Sequence, residues 1–258
     1  MSSPASSPSD GPAATLVVRG LCKAYDVGPV DRPTRRAVLR DLSLIVDQGD
    51  CVALVEGGVG ALTLLRCIAG LVTPDAGTLA WRDRRSRRAW PPTRSLVEGS
   101  WRPAARCLSV RDVLEVAVPA GCSQADAARR VADAAGAVAV GAQLTRAAAA
   151  LAPPARWRVG LAAALVAGAE WLLVELPPAV GEDVATVRAA LLAARARGAT
   201  IVAGVSGDAR AVPATRTLHW RNGRLLRAVP ATAARRVAEP SARDGAGVAP
   251  LTPPRERS

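Results

Sequence analysis

Short apolar runs bounded by turn residues recur along the chain and alternate with longer segments of helical character. Residues 51–55 form a continuous apolar run, the pattern of a strand buried on both faces. Residues 14–19 and 42–46 read as strands, the second closed by the turn Asp47-Gln48-Gly49-Asp50. A helix is predicted to about residue 69. The break Thr73-Pro74-Asp75-Ala76-Gly77 follows, and a strand resumes at 78–81. From 109 to 198 the patterns are mainly helical, with Ser109 and Ser123 as candidate N-caps and Ala-rich helices over 125–135, 156–167 and 185–197. Residues 171–176 and 200–205 read as buried strands, and 217–220, Asn222-Gly223 and 224–227 as a hairpin. Strands alternating with helices predict an α/β fold with a mostly parallel sheet.

Composition narrows this picture. The chain has 258 residues and is half hydrophobic, yet it has no Phe and only 3% aromatics, so Ala, Val and Leu must build the core. Its net charge is +12, carried by arginine except for Lys23. Such a charge raises an anionic partner as a reading, nucleic acid included. The dense basic stretch 82–88, between Trp81 and Trp90, is read first as an exposed connection between strands. The five cysteines lack paired spacing and His219 is the only histidine, which argues against a Cys/His zinc site and for a reducing, cytoplasmic setting. Residues 1–13 are Ser/Pro-rich with no apolar signal core. The most apolar stretch, 159–176, divides into a helix and a strand rather than a membrane span.

The candidate chemistry lies in Val55-Glu56-Gly57-Gly58-Val59-Gly60-Ala61-Leu62-Thr63. Glycine spacing between an apolar strand and a helix is the pattern of a phosphate-binding loop, whose backbone N–H groups point at the anion. Such loops carry Lys-Ser or Lys-Thr where this one carries Ala61-Leu62.

The order of elements resembles an ATP-binding cassette (ABC) ATPase domain over about residues 14–228. The resemblance rests on 41–50, the loop at 55–63, Leu64-Leu65-Arg66-Cys67-Ile68-Ala69-Gly70-Leu71 and Pro74-Asp75-Ala76-Gly77-Thr78-Leu79. It implies a P-loop NTPase of ABC type, with a mostly parallel sheet, an antiparallel β-subdomain and a helical subdomain at about 101–168. Tails at 1–13 and 229–258 are read as disordered. Within the family, Ser109-Val110-Arg111-Asp112-Val113-Leu114, residues 197–202 and Arg216-Thr217-Leu218-His219 resemble the ABC-type subunit of the phosphonate carbon–phosphorus lyase system. A lipoprotein-export ATPase shares several of these features.

Position by position, the resemblance implies a depleted site. Gly57, Gly58 and Gly60 keep a nest for phosphate, Thr63 keeps a hydroxyl, and Tyr25 matches the aromatic that stacks on adenine. Ala61 and Leu62 replace the lysine and the magnesium-binding hydroxyl. Ser100 falls at the glutamine position, with Glu98 as a substitute only if the loop shifts. The segment Leu151-Ala152-Pro153-Pro154-Ala155 replaces the signature loop, and its prolines offer no N–H donors. Glu175 occupies the magnesium-aspartate position, Leu176 that of the water-orienting glutamate, and Ser206 that of the switch histidine.

These readings predict a cassette subunit that binds ATP and magnesium weakly or not at all. Its expected partners are another cassette subunit and a membrane permease or carbon–phosphorus lyase components, at the inner membrane face. An active ATPase driving transport, a basic nucleic-acid- or anion-binding protein, and a decaying gene product are the alternatives.

Overall fold

The computed structural model of the chain describes residues 14–56, 60–83, 92–104, 107–176, 184–206 and 209–230. Two sheets organise them. A three-stranded antiparallel sheet, in the order β2-β1-β4, is built from β1 (Ala14–Val27), β2 (Thr34–Asp47) and β4 (Ala76–Asp83). A second sheet, in the order β5-β6-β7-β3-β8-β9, joins β5 (Arg94–Val97), β6 (Trp171–Leu176), β7 (Thr200–Val205), β3 (Cys51–Glu56), β8 (Arg216–Arg221) and β9 (Arg224–Pro230). It is parallel except for the β8–β9 hairpin.

The central strands are apolar throughout because alternate residues enter different cores. From β3, Val52 and Leu54 join a cluster with the antiparallel sheet and helix α1 (Gly60–Ala69), while Cys51 and Ala53 join one dominated by the later helices. From β6, Trp171 and Leu173 enter the first cluster, and Leu172, Val174 and Leu176 the second. Trp81 of β4 meets Trp171 edge to face, with ring centroids 4.6 Å apart, and so joins the two sheets.

Both predicted serine caps form. Ser109 Oγ accepts from Asp112 N and the Asp112 carboxylate accepts from Ser109 N, a reciprocal box opening α2 (Val110–Val116). The hydrogen bonds from Ser109 hold the Asp112 carboxyl below its ordinary range. Ser123 caps α3 (Gln124–Ala137), and its Oγ accepts from Asp126 N at 3.1 Å. Helix α4 (Pro153–Ala167) ends at Gly168 in the left-handed region, and α5 (Val184–Ala196) packs beside β7.

Several expected boundaries are corrected. β1 runs on to Val27 and β2 begins at Thr34, because their polar ends pair with each other through Val27↔Thr34. Helix α4 starts at Pro153, three residues before the expected 156, since proline is suited to the first helical turn. β5 was not expected, and β9 takes in residues 229–230, which were read as tail. The expected tails at 1–13 and 231–258 and residues 84–88 of the basic stretch lie outside the described residues.

Candidate functional site

The ends of β3, β6 and β7 lie in register. Val55 pairs with Val205, and Val205 with Leu176, so Ser206 emerges beside the ends of both neighbouring strands. This carboxyl edge of a parallel sheet is where open α/β folds place their ligands. The structure therefore brings the end of β3, Glu175, Leu176 and Ser206 to one edge. His219 joins them from the other side of β3, paired with Val55 and exposed. Tyr25 sits on the other sheet, 36% exposed, with the Lys23 ammonium 5.5 Å from its ring centroid. Gly57 and Gly58 lie outside the described residues.

At the start of α1, Gly60 and Thr63 are buried, Thr63 at 5% exposure. Ala61 is 7% exposed and lies against β7, where a Cβ added at Gly204 would stand 3.1 Å from the Ala61 methyl. A small residue on each side lets the helix sit close to the strand. Leu62 is half-buried.

The loop after β5 is tied at three points. Glu98 accepts two hydrogen bonds from Arg66 in the last turn of α1, from Nε at 2.7 Å and Nη2 at 2.8 Å. Those bonds hold the Glu98 carboxyl below its ordinary range and raise Arg66. Glu98, the candidate substitute for a glutamine, is thus committed to α1. Gly99 N donates to Glu175 Oε2 at 2.7 Å, so the carboxylate expected at the magnesium position already serves the backbone of this loop. Trp101 lies on α4 at Gly160, where an added Cβ would meet its ring at 2.6 Å. Ser100 itself is exposed.

Helix α4 closes the site from behind. Trp157 is 2% exposed and donates its indole N–H to the Glu175 carbonyl at 3.0 Å. Leu176 is 3% exposed within the core cluster that also holds Trp157. The helix opens on Pro153-Pro154 with Ala152 as N-cap and no side-chain cap. The first-turn N–H groups that would receive an anion are missing at both prolines.

The residues expected at three charge-bearing or proton-accepting positions, Ala61, Leu62 and Leu176, are apolar, and Glu175 accepts a backbone N–H. No group of three or more His, Cys, Asp or Glu among the described residues could hold a metal ion. Arg66, Trp101, Trp157, Gly160 and Gly204 were not singled out from the sequence as site residues. The bonded partners of Arg66 and Trp157 lie 32 and 18 positions away, beyond any local pattern.

No family model matches the chain. The nickel import ATP-binding protein NikE of Rhodospirillum rubrum is 36% identical over 89 residues, 32% of this chain and 32% of that protein. The lipoprotein-releasing system ATP-binding protein LolD of Cereibacter sphaeroides is 51% identical over 67 residues, 25% of this chain and 28% of that protein. The chain thus spans about a third of the length of these curated relatives. The dimeric structure of MJ0796, a bacterial ABC transporter cassette, superimposes with a TM-score of 0.68 at 14% identity, covering 83% of this chain and 98% of that one. The chain carries the fold of an ATP-binding cassette ATPase domain.

Proposed function

We propose that the chain is the cassette subunit of a transporter-type system in which its own nucleotide site does not hydrolyse ATP, and that it works by assembling with a partner. The observation that carries this reading is Leu176, buried at the end of β6 where a water-orienting carboxylate is needed. Removing one electrostatic stabiliser of a transition state commonly costs a factor of about 10²–10³ in rate. The lysine, the hydroxyl, the glutamine, the signature donors and the histidine are replaced as well. Each lost charge-assisted hydrogen bond removes roughly 1.5–3 kcal/mol, about ten- to a hundredfold in phosphate affinity.

The relatives named above are ATP-binding proteins of nickel import and of a lipoprotein-releasing system, which supports a transporter over a carbon–phosphorus lyase assembly. Neither of these two concerns phosphonates. Tyr25, Gly60 and Thr63 are the residues available for residual nucleotide contact. No described helix is long and apolar enough to cross a membrane. Affinity capture of the full chain from native membranes, read by mass spectrometry, tests the assembly. Recovery of a second cassette subunit or a permease is expected. Recovery of neither, or of carbon–phosphorus lyase components instead, contradicts it.

A further inference from the structure

A second concavity lies away from the strand ends, where the β8–β9 hairpin meets β2. The hairpin turns at Asn222-Gly223, both with positive φ (52° and 78°). Gly223 approaches β2 so closely that an added Cβ would stand 2.7 Å from the Val38 carbonyl oxygen, and Arg40 N donates to the Gly223 carbonyl at 2.8 Å. The missing side chain is what permits this docking.

The docking gathers positive charge. Arg221 and Arg224 are cross-strand partners, an arrangement that costs stability when both carry the same sign. Contact with β2 adds Arg40 to the group. Arg40 and Arg224 line a groove of about 410 Å³ and make no ion pair among the described residues. Of the carboxylates in the lining, Asp75 is already held by Lys23 at 2.8 Å and Arg35 at 3.2 Å, which leaves only Asp41 near the free guanidinium groups. The floor is apolar, formed by Ala24, Ala37 and Leu39.

We infer that this groove docks an acidic peptide segment of a partner protein, with carboxylates on Arg40 and Arg224 and small apolar side chains against the floor. A bound carboxylate relieves the repulsion that the hairpin imposes. No aromatic side chain lines the groove, so bases have nothing to stack on.

The test is fluorescence polarisation with a labelled peptide of alternating glutamate and leucine, titrated with the full chain. The double variant Arg40→Glu/Arg224→Glu is expected to bind at least about tenfold more weakly. The variant Arg129→Glu/Arg197→Glu, with the same charge change at another surface, is expected to stay within about twofold, since exposed charges act over only about a Debye length. Thermal melts check folding, and Arg40→Gln/Arg224→Gln replaces the first variant if reversal prevents it. Absence of peptide binding by the native chain, equal loss in both double variants, or preference for oligo-deoxythymidine or anionic vesicles over the peptide overturns the inference.

Discussion

Arg66 and Glu98 meet through two parallel hydrogen bonds, at 2.7 and 2.8 Å, and so fasten the helix after the phosphate loop to the loop after β5. With Gly99 on Glu175 and Trp101 on Gly160, the pair holds the connection between the sheet and the later helices in one arrangement.

Breaking the pair is predicted to cost little and to be pH-dependent. Both side chains are partly exposed, at 38% and 25%, so Glu98→Gln is expected to cost about 1 kcal/mol after solvent screening. Because the folded Glu98 carboxyl titrates below its unfolded value, its contribution is complete above about pH 4.3 and is lost as the pH falls through the lowered folded value. Thermal midpoints of the two proteins compared across pH check this. The gap is expected to be constant from about pH 5 to 8 and to narrow in more acidic buffer.

Gly160→Ala inverts the usual helix preference. Alanine in a helix interior is ordinarily better than glycine by about 1 kcal/mol. Here the added methyl meets the Trp101 ring at 2.6–2.7 Å, so a loss of about 1–3 kcal/mol is expected. A double-mutant cycle with Trp101→Leu should recover most of that loss. Equal effects of Gly160→Ala with and without Trp101 would show that the contact is not the cause.

Restoring a carboxylate at the end of β6 is predicted to harm the fold. Leu176→Glu places a charge in a position 3% exposed, with a cost of about 2–4 kcal/mol, whereas Leu176→Met should cost less than about 1.5 kcal/mol. Urea denaturation midpoints measure both.

The cysteines should separate by reactivity. Burial pushes the Cys51 thiol up to about 12, and it is fully buried. Cys107 is exposed. Alkylation with iodoacetamide near neutral pH, followed by peptide mass mapping, is expected to label Cys107 first and Cys51 only on unfolding.

Much of the frame was legible in the sequence because it is local. The 51–55 run, the caps at Ser109 and Ser123, and the Asn222-Gly223 turn each signal their own structure within a few residues. The outer halves of β1 and β2 were not legible. Lys23, Arg35 and Arg36 carry no apolar alternation to mark a strand, and cross-strand pairing and the Lys23–Asp75 contact supply the missing stability. β5 is four residues long and carries no alternation strong enough to mark it. The apolar character of Ala61, Leu62 and Leu176 was readable from the sequence, and the roles expected at their positions from the family resemblance. How the site is filled was not, since Arg66 finds Glu98 across 32 residues and Gly99 finds Glu175 across 76.

Steady-state release of phosphate from magnesium-ATP by the purified full chain, beside a mock purification and Glu175→Ala, tests the central claim most directly. A rate indistinguishable from the mock, in both proteins, is predicted. Turnover by the native chain above the mock, whether kept or lost in Glu175→Ala, would contradict it.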